Sequence, residues 1–161
     1  MGPTEINGLP AHVLLVHVVV MLIPITALLL LASAVWPTAR RRIGVVLPVV
    51  ALISLISVPM TANAGEWLAG QMGGGSPLVG RHASLADQLL PWTVGLFLVS
   101  VAVWAVHRFL PAARTGNSKT ALTVGLAVLS LVVAIGSVIT VYRVGDSGAK
   151  AAWDGVVSAA P

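Results

Sequence analysis

Four long apolar runs occupy most of this chain and limit the folds open to it. They extend over about residues 13–36, 43–60, 89–110 and 122–142. A helix of about 20 apolar residues crosses the roughly 30 Å of hydrocarbon in a bilayer. Only 9% of the 161 residues are charged, so the chain lacks the polar residues that cover a soluble domain. We therefore predict an all-α integral membrane protein, a single transmembrane domain folded as a four-helix bundle.

The basic residues predict which ends of these helices face the cytoplasm. Six of the nine basic residues fall in the first and third connections, which hold no acidic residue. They are Arg40, Arg41, Arg42, Arg108, Arg114 and Lys119. Connections rich in arginine and lysine stay on the cytoplasmic side. We therefore expect the N-terminus, the C-terminus and the long middle connection, residues 61–88, to lie outside. The high isoelectric point reflects topology and does not indicate nucleic-acid binding.

Small residues at helical spacing predict where the helices pack. In lipid, helices associate through close backbone approach and hydrogen bonds, because hydrophobicity does not distinguish a helix from an acyl chain. The second run offers Ala51, Ser54, Thr61 and Gly65, and the fourth offers Ser130, Ala134 and Ser137. We expect both stripes to face the interior of the bundle.

The four histidines carry most of the chemistry open to this chain, since it has no cysteine and five carboxylates. His12 and His17 lie near the start of the first run, His82 precedes the third run, and His107 ends it. In the predicted topology the first three lie towards the outer side. About 37 Å of straight helix would separate His107 from His82. This distance excludes a site that joins all four histidines.

His17 is the favoured ligand of the first helix, because it lies about two turns inside, where a polar group loses hydration and needs a partner. The side chain of His12 points about 140° away from it. We expect a haem b iron near the outer leaflet with His17 and His82 as axial ligands, and with His12 as the substitute for His17. Arg81 or Arg143 would then meet the haem carboxylates.

Other interpretations of these histidines stay open. His17 is also explained by a hydrogen bond inside the bundle, and His82 as a solvated loop residue. Imidazole suits zinc, copper or non-haem iron, so a metal site on His17, His82 and Glu66 is a third possibility. A cofactor-free assembly subunit or small-solute permease is the alternative from another class. No nucleophile–base pair or paired acids indicate an enzyme acting alone.

Three segments resemble a bacterial family of predicted four-helix membrane domains of unknown function. They are the opening from Gly8 to His17 (GLPAHVLLVH), the pair Arg81–His82, and the stretch from Tyr142 to Lys150 (YRVGDSGAK). The resemblance covers nearly the whole chain. Some members of that family are fused to a Rieske-type iron–sulfur domain.

The resemblance implies a redox function in a bacterial plasma membrane, and it maps the family's paired histidines onto His12 and His17. Other members often carry histidine where this chain has Asp146. A Rieske-type or other redox protein would be a separate partner of this chain. Assembly of several copies stays open.

Overall fold

The computed structural model describes residues 4–73, 76–109 and 117–154. In chain order the elements are β1 (Glu5–Ile6), β2 (Leu9–Pro10), α1 (Ala11–Val35), α2 (Pro37–Ile43), α3 (Val46–Gln71), α4 (Pro77–Asp87), α5 (Leu89–Phe109) and α6 (Asn117–Trp153). Leu110, Arg114 and the side chain of Lys119, which enter the predictions for the third span and its connection, lie outside the described residues, as does the tail from residue 155.

Helices α1, α3, α5 and α6 form a bundle in which each helix packs against two neighbours. α1 lies between α3 and α6, and α5 lies between the same two helices on the far side. Four helical stretches are long and apolar enough to cross a membrane, with α4 and α5 counted together as Pro77–Phe109. The prediction of an all-α membrane bundle is confirmed at this level.

Apolar side chains line both the inside and the outside of the bundle. Ile23, Leu30 and Leu96 are almost completely buried at its centre. Leu28 and Leu98, on the same helices, are 66% and 58% exposed. A soluble bundle would place polar residues at such positions. The apolar surface fits a lipid environment and makes this chain a multi-pass membrane protein.

Small residues bring the backbones together, as their spacing predicts. Ser54 and Ser137 are fully buried. The Ser54 hydroxyl lies 2.9 Å from that of Thr26 on α1, and the Ser137 hydroxyl donates to the Val133 carbonyl at 2.6 Å. These hydroxyls have hydrogen-bond partners inside the bundle and need no water, which is why the helices tolerate them in the core.

Two of the helices extend well past the predicted apolar runs at one end of the bundle. α3 continues to Gln71, and α6 continues to Trp153. α3 thus runs on from the second apolar run through the start of the middle connection. The rest of that connection forms α4, which packs against α6. We call this end, which holds His12, His82 and Ser147, the histidine end.

A tight hairpin sets the start of α1 at the histidine end. β1 and β2 pair antiparallel around Asn7 and Gly8, which both have positive φ values, of 52° and 76°. Asparagine followed by glycine suits such a two-residue turn. The Ala11 amide then donates to the Thr4 carbonyl at 2.9 Å. The hairpin thus holds the first residue of α1, and with it the neighbouring His12.

At the opposite end, Arg40 closes α1. Its Nε donates to the Ser33 carbonyl at 2.5 Å, and its Nη2 donates to the Ala34 carbonyl at 2.6 Å. Carbonyls at the C-terminus of a helix lack partners within the helix and carry partial negative charge, so a guanidinium group stabilises them. This contact fixes α2 against the last turn of α1.

Candidate metal centre

His12 and His82 meet at the histidine end, although 70 positions separate them in the sequence. His12 is the second residue of α1, and His82 lies in the middle of α4. Their ring centres are 6.3 Å apart and the ring planes are nearly perpendicular, at 82°. Both side chains are half-buried. The first membrane helix and helix α4 thus each present one imidazole to the same place.

α3 orients the His12 ring. Its Nδ1 lies 2.9 Å from the Thr61 carbonyl oxygen. A carbonyl oxygen only accepts hydrogen bonds, so Nδ1 must carry the proton. One turn further along α3 lies Gly65, where an added Cβ would stand 2.8 Å from the His12 ring. Glycine therefore lets the ring lie directly against the α3 backbone.

α6 orients the His82 ring in a similar way. Its Nδ1 lies 3.1 Å from the Val144 carbonyl oxygen and 3.0 Å from the Ser147 hydroxyl. That hydroxyl donates to the Val144 carbonyl at 2.8 Å, so its oxygen is free to accept the Nδ1 proton of His82. A Cβ on Gly148 would stand 3.0 Å from the ring. Each imidazole therefore has a backbone carbonyl partner and a glycine beside it.

The two rings share a tautomer that favours metal binding. With the proton on Nδ1, a neutral imidazole keeps its lone pair on Nε2. Within the described residues, neither Nε2 takes part in a hydrogen bond. Metal-binding histidines usually donate the other ring N–H to a carbonyl or carboxylate, which fixes the ring and its tautomer. His12 and His82 both have this arrangement.

The charge state of His82 suits the same role. Burial lowers the pKa of His82, and the nearby His12 lowers it further, while the hydrogen bond to the Val144 carbonyl opposes both effects. Within the stretch Pro77–Phe109, the 21 residues of α5 alone are enough to cross a bilayer, and His82 lies before them on α4. A histidine must be neutral to bind a metal. The lowered pKa favours the neutral form of His82.

The structure places His12, and not the expected His17, beside His82. His17 is exposed on the surface of α1, and its Nδ1 donates to the Val13 carbonyl of its own helix at 2.7 Å. Five residues of helix turn its side chain about 140° away from that of His12. His107 likewise bonds to its own helix, at the Val103 carbonyl, in the last turn of α5.

The predicted partners Arg81 and Arg143 lie together in a separate cleft between α4 and α6. The cleft has a volume of about 110 Å³, and neither His12 nor His82 lines it. Ser147 connects the two places, because it lines the cleft and also contacts His82. Glu66 lies one residue beyond Gly65, but no group of three metal-binding side chains occurs within the described residues.

The spacing of the two imidazoles fits a single metal ion between them. A metal–imidazole nitrogen distance is about 2 Å, so two imidazoles that bind one ion from opposite sides have ring centres roughly 6 Å apart. The observed separation is 6.3 Å. The donor set, the protonated Nδ1 atoms and the glycines that admit the rings would suit one metal ion held by His12 and His82.

Sequence reasoning missed the residues that orient the pair. The spacing of Thr61 and Gly65 predicts helix packing alone, and no sequence pattern assigns a role to Ser147 or Gly148. The sequence feature that could have indicated these contacts is the two glycines. Glycine within a helix lowers helix stability by about 1 kcal/mol relative to alanine and often marks a close contact.

No known protein family, curated protein or solved structure matches this chain in direct comparison. The resemblance to a bacterial membrane family therefore stays a prediction, and the geometry of the histidine pair is the stronger guide to function.

Proposed function

We propose that this protein binds a b-type haem at the histidine end, with His12 and His82 as axial ligands, and that it transfers electrons. The separation of 6.3 Å between the two ring centres carries this proposal. The hydrogen bonds from both Nδ1 atoms to backbone carbonyls support it, because they leave the lone pair of each neutral imidazole on Nε2, the atom that would bind the iron.

Two protein ligands favour haem over a bare ion. Zinc sites use three or four protein ligands, and the described residues contain no such group. A porphyrin supplies the remaining four ligands itself. The apolar side chains of the bundle also suit a large flat cofactor. As protein ligands to its iron, haem therefore needs only the two imidazoles.

The ligand pair favours electron transfer over reaction with a small molecule. His12 and His82 would hold the iron with two imidazoles, and a haem held in this way would supply one-electron chemistry. His12 lies at the very start of α1, close to the surface. A redox partner can approach such a site from the aqueous side. A Rieske-type or other redox protein is the kind of partner that we propose.

The arginines of the connections support an orientation with the histidine end outside. Arg40, Arg41, Arg42 and Arg108 lie at the opposite end, and the positive-inside rule assigns such residues to the cytoplasm. The proposal thus places the cofactor on the outer side of a bacterial plasma membrane, with both termini on that side.

The visible spectrum of the purified protein tests this function. The protein would be expressed with haem precursor supplied, purified in mild detergent, and reconstituted with haem where it is not saturated. We expect one haem per chain, with a sharp Soret band and the split visible bands of a six-coordinate low-spin iron after reduction. The control is haem in the same detergent without protein. A spectrum identical to that control after reconstitution contradicts the proposal.

A further inference from the structure

The cleft between α4 and α6 is lined by more basic than acidic side chains. Arg81 lines it from α4, and Arg143 and Lys150 line it from α6, whereas Asp146 is its one acidic lining residue. Three basic side chains and one acidic side chain give the lining a net charge of +2. Such a lining attracts an anion.

The one acidic residue of the cleft pairs with its lysine, which leaves Arg81 and Arg143 as the cations available to a ligand. Lys150 donates to the Asp146 carboxylate at 2.7 Å, one helical turn away, and this is the only salt bridge among residues 4–73, 76–109 and 120–154. Arg81 and Arg143 take part in no salt bridge in that part of the chain. A guanidinium presents its donors as a planar fork, which matches the oxygens of a phosphate group.

Besides the charged residues and Ser147, the lining of the cleft consists of two leucines and a tyrosine. Leu78 and Leu85 lie on the same face of α4 as Arg81, three and four residues from it, and Tyr142 lies beside Arg143 on α6. Tyrosine is enriched at the level of lipid headgroups. Arg143 directly follows the predicted end of the fourth apolar run. With the fourth apolar run ending at Tyr142 as predicted, the arginines would lie at the membrane surface, beside apolar side chains.

We propose that this cleft binds the phosphate headgroup of an anionic phospholipid from the leaflet at the histidine end. Its volume of about 110 Å³ suits a phosphate group, while the acyl chains stay in the bilayer along the apolar walls. A headgroup without a cation of its own is favoured, because an ammonium group would be repelled by the net positive lining. This site is separate from the proposed haem site and does not depend on it.

A lipid competition experiment tests the proposal. The full-length protein would be equilibrated in detergent with equal amounts of phosphatidylglycerol and phosphatidylcholine of the same acyl chains. Native mass spectrometry would then count the lipid retained. We expect the natural protein to retain phosphatidylglycerol. The double variant Arg81→Gln/Arg143→Gln should retain at least roughly tenfold less of this lipid. Size-exclusion chromatography would show that the variant remains monodisperse.

The matched control is Arg41→Gln/Arg108→Gln, which removes two exposed arginines from the opposite end. It should retain more phosphatidylglycerol than the cleft variant. Equal retention by the natural protein and the cleft variant overturns the proposal, as does an equal loss in the control.

Two further measurements separate other ligands of the same chemistry. Inorganic phosphate that stabilises the lipid-free natural protein, but not the cleft variant, at matched ionic strength would identify a site for a small anion and overturn the lipid assignment.

Haem content is measured in the same samples. A cleft variant that loses haem and retains lipid would overturn the proposal and assign the arginines to the haem carboxylates. Lipid retention that depends on the arginines in a haem-free protein would uphold the proposal and leave the haem question separate.

Discussion

Two glycines decide how close the histidine rings come to their neighbouring helices. Gly65 on α3 and Gly148 on α6 lie where a side chain would overlap the ring of His12 or His82. Each histidine also donates to a carbonyl of the same neighbouring helix. The ring position is therefore set by a helix other than the one that carries the histidine.

Adding a methyl group at these glycines should displace the rings. In Gly65→Ala the new Cβ would stand 2.8 Å from the His12 ring, and in Gly148→Ala it would stand 3.0 Å from the His82 ring. We expect both variants to lose haem affinity, Gly65→Ala more strongly, with a loss of stability on the order of 1 kcal/mol from overpacking. Haem-to-protein ratio and thermal unfolding in detergent measure the two effects.

The same helices provide matched controls. No atom lies within 4 Å of a Cβ placed at Gly70 on α3 or at Gly145 on α6. Gly70→Ala and Gly145→Ala should therefore keep full haem content and gain slightly in stability, since alanine favours the helix by up to about 1 kcal/mol. Equal haem content in Gly65→Ala and Gly70→Ala would show that the close contact at His12 has no functional role.

The choice between His12 and His17 depends on contacts that a sequence does not display. Burial depth favours His17, which lies further along α1. In the structure His17 faces outward, and the hairpin around Asn7 and Gly8 together with the contact at Gly65 holds His12 at the interior face. The rotation of a uniformly apolar helix about its own axis leaves little trace in its sequence. Tertiary contacts decide it.

At the scale of elements, the bilayer makes the four long helices predictable. Its thickness sets the length of an apolar span. The runs that begin near residues 13, 89 and 122 correspond to α1, α5 and α6, and the run that begins near residue 43 covers the end of α2 and most of α3. The extension of α6 to Trp153 is not predictable in this way, because polar residues continue a helix beyond the membrane without an apolar signal. The sequence analysis places residues 77–87 in the middle connection without assigning a helix, although Pro77 at the first position of α4 is typical of a helix start.

α4 has a particular importance among these elements, because it takes part in both candidate sites. Its His82 meets His12 on α1, while Arg81, its neighbour in sequence, lines the cleft against α6. Neighbouring residues on a helix point about 100° apart, so one short helix serves two sites on different faces. The contact between α4 and α6 therefore supports both proposals.

For the whole molecule, the orientation in the membrane determines which compartment meets the histidine end. The chain has no cysteine, so single cysteines can be introduced without background labelling. Ser76 precedes α4, and Thr38 lies in α2 at the opposite end; both are exposed. We expect Ser76→Cys to react with a membrane-impermeant maleimide on intact cells, and Thr38→Cys to react only after permeabilisation. The reverse pattern would place the histidine end in the cytoplasm.

The pairing of His12 with His82 is the central claim, and the spectra of single histidine variants test it most directly. His12→Ala and His82→Ala should each lose the low-spin haem spectrum or most of the bound haem, because each removes one axial ligand. His17→Ala and His107→Ala should keep the natural spectrum, since among residues 4–73, 76–109 and 120–154 each of these side chains bonds to a carbonyl of its own helix. Haem retention in His12→Ala together with haem loss in His17→Ala would contradict this pairing.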